Sequence, residues 1–275
     1  MAKLKIGVLY VVGTPIGNLR DFSPRAVETL TDADFIAAED TRVTRKLLTH
    51  FDIHTPMISY YEHNKMERGP EIVARIQNGE SCALVTDAGM PAISDPGQDL
   101  VDRCLRAGLP VVSVPGPTAF ATAVALSGMD STRFTFVGFL AVDKKKRREQ
   151  LDFIKKQTCT VVLYEAPHKL SATLQDLYST LGDRQMTILR ELTKVHEDII
   201  RLSLAEAVER YPNNNLRGEL VLVLEGGPDE KQKPTLEDAV KRARYFMENG
   251  MAASAAAKLA AKESGIKKGD IYRNL

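Results

Sequence analysis

The chain has 275 residues, 44% of them hydrophobic, and a formal net charge of +1 from 37 Lys and Arg against 36 Asp and Glu. This composition suits a globular chain long enough for two ordinary domains, and it excludes disordered and fibrous classes. No apolar run approaches the roughly 20 residues needed to cross a bilayer, and residues 1–5 show no signal-peptide cleavage pattern, so a cytoplasmic location is expected.

Residues 4–12 read as an apolar, β-branched strand that runs into the loop GTPIGN at 13–18. Ser23 and Pro24 then start a helix with Ala26, Val27 and Leu30 on one face. A second strand, 35–38, ends at Glu39 and Asp40, and a basic helix follows to about residue 51. This repeating order of strand, loop and helix predicts a mainly parallel sheet. A strand at 56–60, a helix to about residue 77 closed by Asn78 and Gly79, and a strand at 82–85 continue it. The strand at 82–85 stops at TDAGMPAISDPG (86–97), where Gly89, Pro91, Pro96 and Gly97 forbid regular structure while Asp87, Ser94 and Asp95 offer oxygens. Asp95 before Pro96 reads as a helix N-cap. A strand at 110–114 ends in a second rigid loop, PGPTA (115–119), and a helix of small residues follows to residue 126. The two Pro/Gly loops are expected to be neighbours at the carboxyl edge of the sheet, where open α/β sheets bind ligands. They do not spell a dinucleotide site. Gly13 and Gly17 fail the GxGxxG spacing, Pro15 and Ile16 stand where a pyrophosphate wants free N–H groups, and no P-loop is present.

From about residue 133 the texture changes. An aromatic strand at 134–139 is followed by DKKKRR (143–148), which opens a helix with Leu151 and Ile154 inward. Further strands are expected at 160–164, 186–190, 198–202 and 219–224, with helices at 168–181 and 204–211. The expected domains are 1–112 and 113–228, both α/β, with 229–275 a linker and a small, alanine-rich helical tail. Cys82, Cys104 and Cys159 lack CxxC spacing and are expected to be core thiols. The five histidines show no ligand spacing, so no metal is expected.

The motifs VGTPIGNL (12–19), AEDTR (38–42), TDAGMPAISDPG (86–97), VPGPTA (114–119), RELTK (190–194) and RGE (217–219) occur in that order. Together, over nearly the whole chain, they closely resemble those of the bacterial small-subunit ribosomal RNA (cytidine-2′-O)-methyltransferases of the tetrapyrrole methylase superfamily. The resemblance implies a homodimer of chains with two α/β domains of that type and S-adenosylmethionine folded into the cleft between them. It implies as substrate the 2′-hydroxyl of a cytidine in the decoding region of 16S ribosomal RNA, and as partner the 30S subunit. Carried over residue by residue, the cofactor would lie against Pro15, against Asp87, Ala88, Gly89, Met90 and Ile93, and against Pro115, Thr118 and Ala119. On the second domain it would meet Tyr164 and Glu165, Leu192 and Thr193, and Glu219 with Leu220. One departure is local: the family usually has a proline and then a lysine after Gly-Phe-Leu, where this chain has Ala141, Val142 and Asp143.

Methyl transfer is an in-line displacement, so such an enzyme mainly holds nucleophile, methyl and sulfur aligned. A ribose hydroxyl is a weak acid that a base helps to deprotonate. Glu39, Asp40 and Asp95 are the candidate catalytic groups, and each could equally cap a helix or pair with arginine. Lys144, Lys145, Lys146, Arg147 and Arg148, with Arg42, Arg45 and Lys46, could bind RNA phosphates or form a solvated face. The basic tail could contact nucleic acid or pack as a lid. Two rival functions stay open at this point: C-methylation of a corrin or porphyrin, and non-catalytic RNA binding on the same fold.

Overall fold

The computed structural model describes residues 7–213, 216–228, 236–248 and 250–275. The chain divides into two compact units, Met1–Gly227 and Pro228–Leu275.

The first unit opens with β1 (Leu9–Val12), α1 (Pro24–Asp32), β2 (Phe35–Ala38), α2 (Thr41–His50), β3 (Met57–Ser59), α3 (Lys65–Gln77), β4 (Cys82–Val85), α4 (Gly97–Arg106) and β5 (Val111–Val114). The N-terminal part of the first expected strand, residues 4–6, lies outside the described residues. The strands pair in parallel in the order β3-β2-β4-β1-β5. Because strand side chains alternate, both faces must be apolar and both must be covered. Ile36, Ala38, Ala83 and Val85 pack with Ala26 and Leu30 of α1 and Leu48 of α2. Phe35, Ala37, Cys82 and Leu84 pack on the other face with Ile72 and Ile76 of α3 and Leu100 and Cys104 of α4. Cys82 and Cys104 are therefore buried core thiols, whereas Cys159 is half-buried.

The strand order fixes the position of a crevice. The chain leaves β1 for a helix on one face and leaves the adjacent β4 for a helix on the other, so the sheet switches direction between them. The loops after β4 and β5 were expected to be direct neighbours. The strands themselves are not adjacent, because β1 lies between them, but the loops do meet: a methyl on Gly89 would stand 3.5 Å from the Pro117 carbonyl oxygen.

The chain then forms α5 (Ala119–Ser127), β6 (Phe134–Phe139), α6 (Lys144–Lys155), β7 (Thr160–Glu165), α7 (Leu170–Leu181), β8 (Gln185–Arg190), β9 (Asp198–Ser203), α8 (Leu204–Arg210) and β10 (Leu220–Leu224). This second sheet has the order β6-β7-β10-β8-β9, with β6 parallel to β7 and the other pairs antiparallel. One face carries Val161, Leu163, Leu222 and Ile188 against α6, α7 and α8. The other carries Val162, Leu189, Val221 and Val223 against Ala123 and Val124 of α5, and Ile16 from the first sheet's loop enters the same cluster. Since β5 belongs to the first sheet, the expected boundary at 112/113 falls inside a strand.

The second unit contains α9 (Leu236–Glu248), α10 (Ala253–Ser264) and α11 (Lys268–Arg273). Its core is Ala239, Val240, Ala243, Ala256, Ala257, Ala260 and Ile271. Methyl side chains let α9 and α10 approach closely, which accounts for the alanine run. Linker residues 229–234 lie outside the described residues.

Candidate active site

The loops that follow β1, β4 and β5 converge at the switch point. Thr14 and Gly89 exchange both backbone hydrogen bonds, at 2.9 and 3.1 Å, and the Thr14 hydroxyl donates to the Thr86 carbonyl at 3.2 Å. Gly13 and Gly116 touch through their backbones: a methyl on Gly13 would stand 2.6 Å from the Gly116 Cα. The loop after β4 bends through two left-handed non-glycine residues, Ala92 (φ 68°) and Ser94 (φ 65°). Asp95 holds that bend. Its Oδ1 accepts from the N–H groups of Ala92 (3.0 Å) and Gly97 (2.7 Å), and its Oδ2 accepts from Ile93 (3.3 Å). The cap of α4 is Pro96, one residue after the expected Asp95, but the Asp95 carboxylate still binds the first N–H of the helix and organises the loop. Strained backbone of this kind persists only where its surroundings over-determine it, and it concentrates at functional sites.

Between these loops and the second sheet lies a cavity of about 500 Å³, within the range of small-molecule sites. Asp87, Ala88, Gly89, Met90, Ile93, Thr118 and Ala119 line one side, and Tyr164, Glu165, Leu192, Glu219 and Leu220 line the other. Three expected cofactor residues do not reach the wall. Pro15 sits between Thr14 and Ile16, and of these three only Ile16 faces the cavity. Pro115 is exposed and lies off the wall. Thr193 is left-handed (φ 68°), which turns its side chain toward Gly17 instead. Ser94, whose oxygen the sequence offered, also lines the wall, and the residues that sequence reasoning missed are Ile16, Thr86, Phe139, Ala166, Pro167, Leu189 and Val221. Most are apolar or one step along a strand from a residue already named. Strand alternation from Tyr164 and Leu220 offered no signal for them, because at a strand's end both faces meet the cleft.

Of the three candidate catalytic groups, Glu39 and Asp95 line the cavity and Asp40 does not. Asp40 caps α2 by accepting from the Arg42 N–H at 2.8 Å, and Arg42 also grips its carboxylate through Nε and a terminal nitrogen at 2.6 Å. These hydrogen bonds hold the Asp40 carboxyl down at about 2, which suits a permanent anion and not a proton acceptor. Asp95 has both oxygens engaged by backbone donors, and burial pushes its pKa up against their influence. Glu39 accepts from the Thr86 hydroxyl through Oε2, and no donor meets its Oε1 among the described residues. Asp87 stands beside it, with Oδ1 accepting from the Asp40 N–H at 3.1 Å. Removal from water, with the charge of Glu39 second, pushes the Asp87 pKa up.

The basic candidates divide likewise. Lys144, Lys145, Lys146 and Arg148 are exposed on the first turns of α6, and Arg42, Arg45 and Lys46 are exposed on α2. Arg147 points inward. Its side chain is 18% exposed, Nε donates to Asp176 at 2.6 Å, and a terminal nitrogen donates to the Thr173 hydroxyl at 2.9 Å. Thr173 donates in turn to the buried Glu165 carboxylate on the cavity wall. Arg147 therefore braces the cleft from behind. Arg147→Met is expected to lower stability by about 1–3 kcal/mol, the scale of a hydrogen-bonded charged group, in a urea titration. RNA affinity measured against salt should keep its slope in that variant and lose about one unit per site in Lys145→Ala or Arg148→Ala.

The sequence pattern of the tetrapyrrole (corrin/porphyrin) methylases matches residues 8–208. The chain belongs to this family. Among full-length relatives of this tetrapyrrole methylase family member, a protein of Synechocystis sp. named ribosomal RNA small subunit methyltransferase I is 45% identical over 98% of this chain and 97% of its own. One of the same name from Halalkalibacterium halodurans is 44% identical over 97% and 93%. The fold is that of a solved uroporphyrin-III C-methyltransferase of Thermus thermophilus, complexed with S-adenosylhomocysteine, with a TM-score of 0.57 at 18% identity over 80% of this chain and 97% of that one. In this family member, as in the expectation from sequence, the cavity lies between two α/β halves. Among the described residues no cluster of three or more His, Cys, Asp or Glu is placed to hold a metal, and no helix is long and apolar enough to cross a membrane.

Proposed function

We propose that this chain is an S-adenosylmethionine-dependent methyltransferase that methylates the ribose 2′-hydroxyl of a cytidine in the decoding region of 16S ribosomal RNA, within the 30S subunit. It works in the cytoplasm as a homodimer. The observation that carries this reading is the cavity at the switch point, built from the motifs that run through the chain and combined with 44–45% identity to proteins named for small-subunit ribosomal RNA methylation. The porphyrin enzyme shares the fold at only 18% identity, so C-methylation has no comparable support.

The residues present fit the cofactor. A cationic, partly apolar molecule with hydroxyl groups would meet Ile16, Met90, Ile93, Leu189, Leu192 and Val221 as apolar walls, and Asp87 and Glu219 as carboxylates. When bound, S-adenosylmethionine supplies an electrophilic methyl group. The loops that hold it are rigid because Asp95 ties three N–H groups and Thr14 ties two strand ends, so alignment costs little reordering on binding. Lys194 holds Glu219 in place, with Nζ 2.9 Å from both the Glu219 and Glu191 carboxylates. Glu39, whose Oε1 meets no donor among the described residues while Oε2 accepts from Thr86, would take the ribose hydroxyl proton on Oε1.

Incubation with labelled S-adenosylmethionine tests the assignment, using 30S subunits that lack the modification, free 16S RNA and a tetrapyrrole in parallel. Label is expected in the ribosomal substrate. Label in the tetrapyrrole alone would overturn the substrate, and binding of S-adenosylmethionine with no transfer would leave an RNA-binding factor.

A further inference from the structure

The geometry points to Phe139 as the platform on which the target nucleobase stacks when its ribose enters the cleft, an inference that rests on the RNA reading above. In a regular strand Phe134 and Phe136 share one face, and Phe139, three residues on, takes the other. The structure breaks that parity. Phe136 pairs with Val162, but the next pair is Gly138 with Leu163 and then Phe139 with Tyr164, so Val137 is an extra residue in β6. Gly138 adopts the left-handed φ of 74° that the bulge requires. This inserted residue returns Phe139 to the cleft face, beside Tyr164 at 5.5 Å between ring centroids, while Val137 and Leu140 point into the opposite core. Without the bulge, Phe139 would be turned from the cavity it now lines.

Three features suit this ring to a base. It is 53% exposed, unlike Phe136 and Tyr164, which are partly buried in the α5 cluster. Its backbone is fixed: Gln150 of α6 donates to the Phe139 carbonyl at 3.3 Å and accepts from the Ala141 N–H at 2.7 Å, clamping the chain on both sides of Leu140. It is also adjacent to charge, because the helix that supplies the clamp begins with the exposed Lys144, Lys145 and Lys146. An exposed aromatic ring flanked by lysines is the usual means of holding a single-stranded nucleotide, with phosphates on the cations and the base on the ring. An enzyme acting on a ribose hydroxyl inside a cavity must draw that nucleotide out of its stack, and a stacking surface at the mouth compensates for the stacking lost. Gly138 also touches the opposing loop, since a methyl there would meet the Ser94 Oγ at 2.9 Å. The platform therefore stands where the two halves of the cleft meet.

Phe139→Ala and Phe139→Trp test this in the full-length protein, through kcat/KM for unmodified 30S subunits at saturating cofactor and through S-adenosylmethionine affinity by calorimetry. Phe139→Ala is expected to lower kcat/KM about ten- to a hundredfold, the loss of one base–aromatic stack, mainly through KM. Cofactor affinity should stay unchanged, and Phe139→Trp should restore activity. Full activity in Phe139→Ala would overturn the inference. A parallel loss of cofactor affinity would also overturn it by assigning the ring to the cofactor. Wild-type protein that transfers no methyl to the subunit would instead remove the underlying reading.

Discussion

Gly13→Ala is expected to lower the stability of the protein by about 3 kcal/mol, at the upper end for overpacking, and to weaken S-adenosylmethionine binding more than tenfold. The added methyl would stand 2.6 Å from the Gly116 Cα, 2.7 Å from the Gly116 nitrogen and 2.7 Å from the Met90 sulfur. Two of these neighbours are backbone and cannot rotate aside. Relief requires the loop after β5 to move from the loop after β1, carrying Thr118 and Ala119 of the cavity wall with it, while Met90 of the loop after β4 shifts as well. Thermal melting and calorimetric titration of the cofactor read both effects. Gly269→Ala is the contrasting control: nothing lies within 4 Å of a methyl at that position, so melting should hold or rise slightly.

Glu39→Gln is expected to reduce kcat by about 10²- to 10⁴-fold, the range for loss of a general base, with KM for both substrates near the wild-type values. Glutamine keeps an oxygen for the Thr86 hydroxyl, so the local fold should survive while the proton acceptor is lost. Asp40→Asn supplies the comparison. Its carboxylate is held at about 2 by Arg42 and lies outside the cavity wall, so it is a weak base placed away from the substrate. Substituting it should alter the cap of α2 and leave kcat largely intact. A collapse of kcat in Asp40→Asn with an active Glu39→Gln would reverse the assignment. Pre-steady-state rates with unmodified 30S subunits separate the chemical step from binding.

Much of the fold was legible because a parallel sheet covered on both faces writes itself as short apolar runs broken by helices. The runs at 35–38 and 82–85 match β2 and β4 residue for residue, and Ser23 caps α1 by accepting from the Ala26 N–H. The convergence of the 86–97 and 115–119 loops on one cavity was legible from their Gly and Pro content, which marks where regular structure stops. What failed to show was everything set by a distant partner. Arg147 reads like its four basic neighbours, and only Asp176 and Thr173, brought alongside by α7, turn it inward. Thr193 belongs to the right loop, but its left-handed backbone turns its side chain toward Gly17, and Pro115 is exposed off the cavity wall. β1 separates β4 from β5 because strand order follows from crossover connections that a local pattern does not encode. The bulge at Val137 had one trace in the sequence, a glycine within an aromatic strand, which marks either a bulge or a close approach; here it is both.

The measurement that tests the central assignment most directly is mass spectrometry of the labelled product after digestion to nucleosides, with fragmentation that separates sugar from base. The expected product is cytidine whose added methyl stays with the ribose fragment, found in the decoding region of 16S RNA. A methyl that stays with the base, or label confined to a tetrapyrrole ring carbon, would contradict transfer to a ribose hydroxyl and with it the role assigned to Glu39.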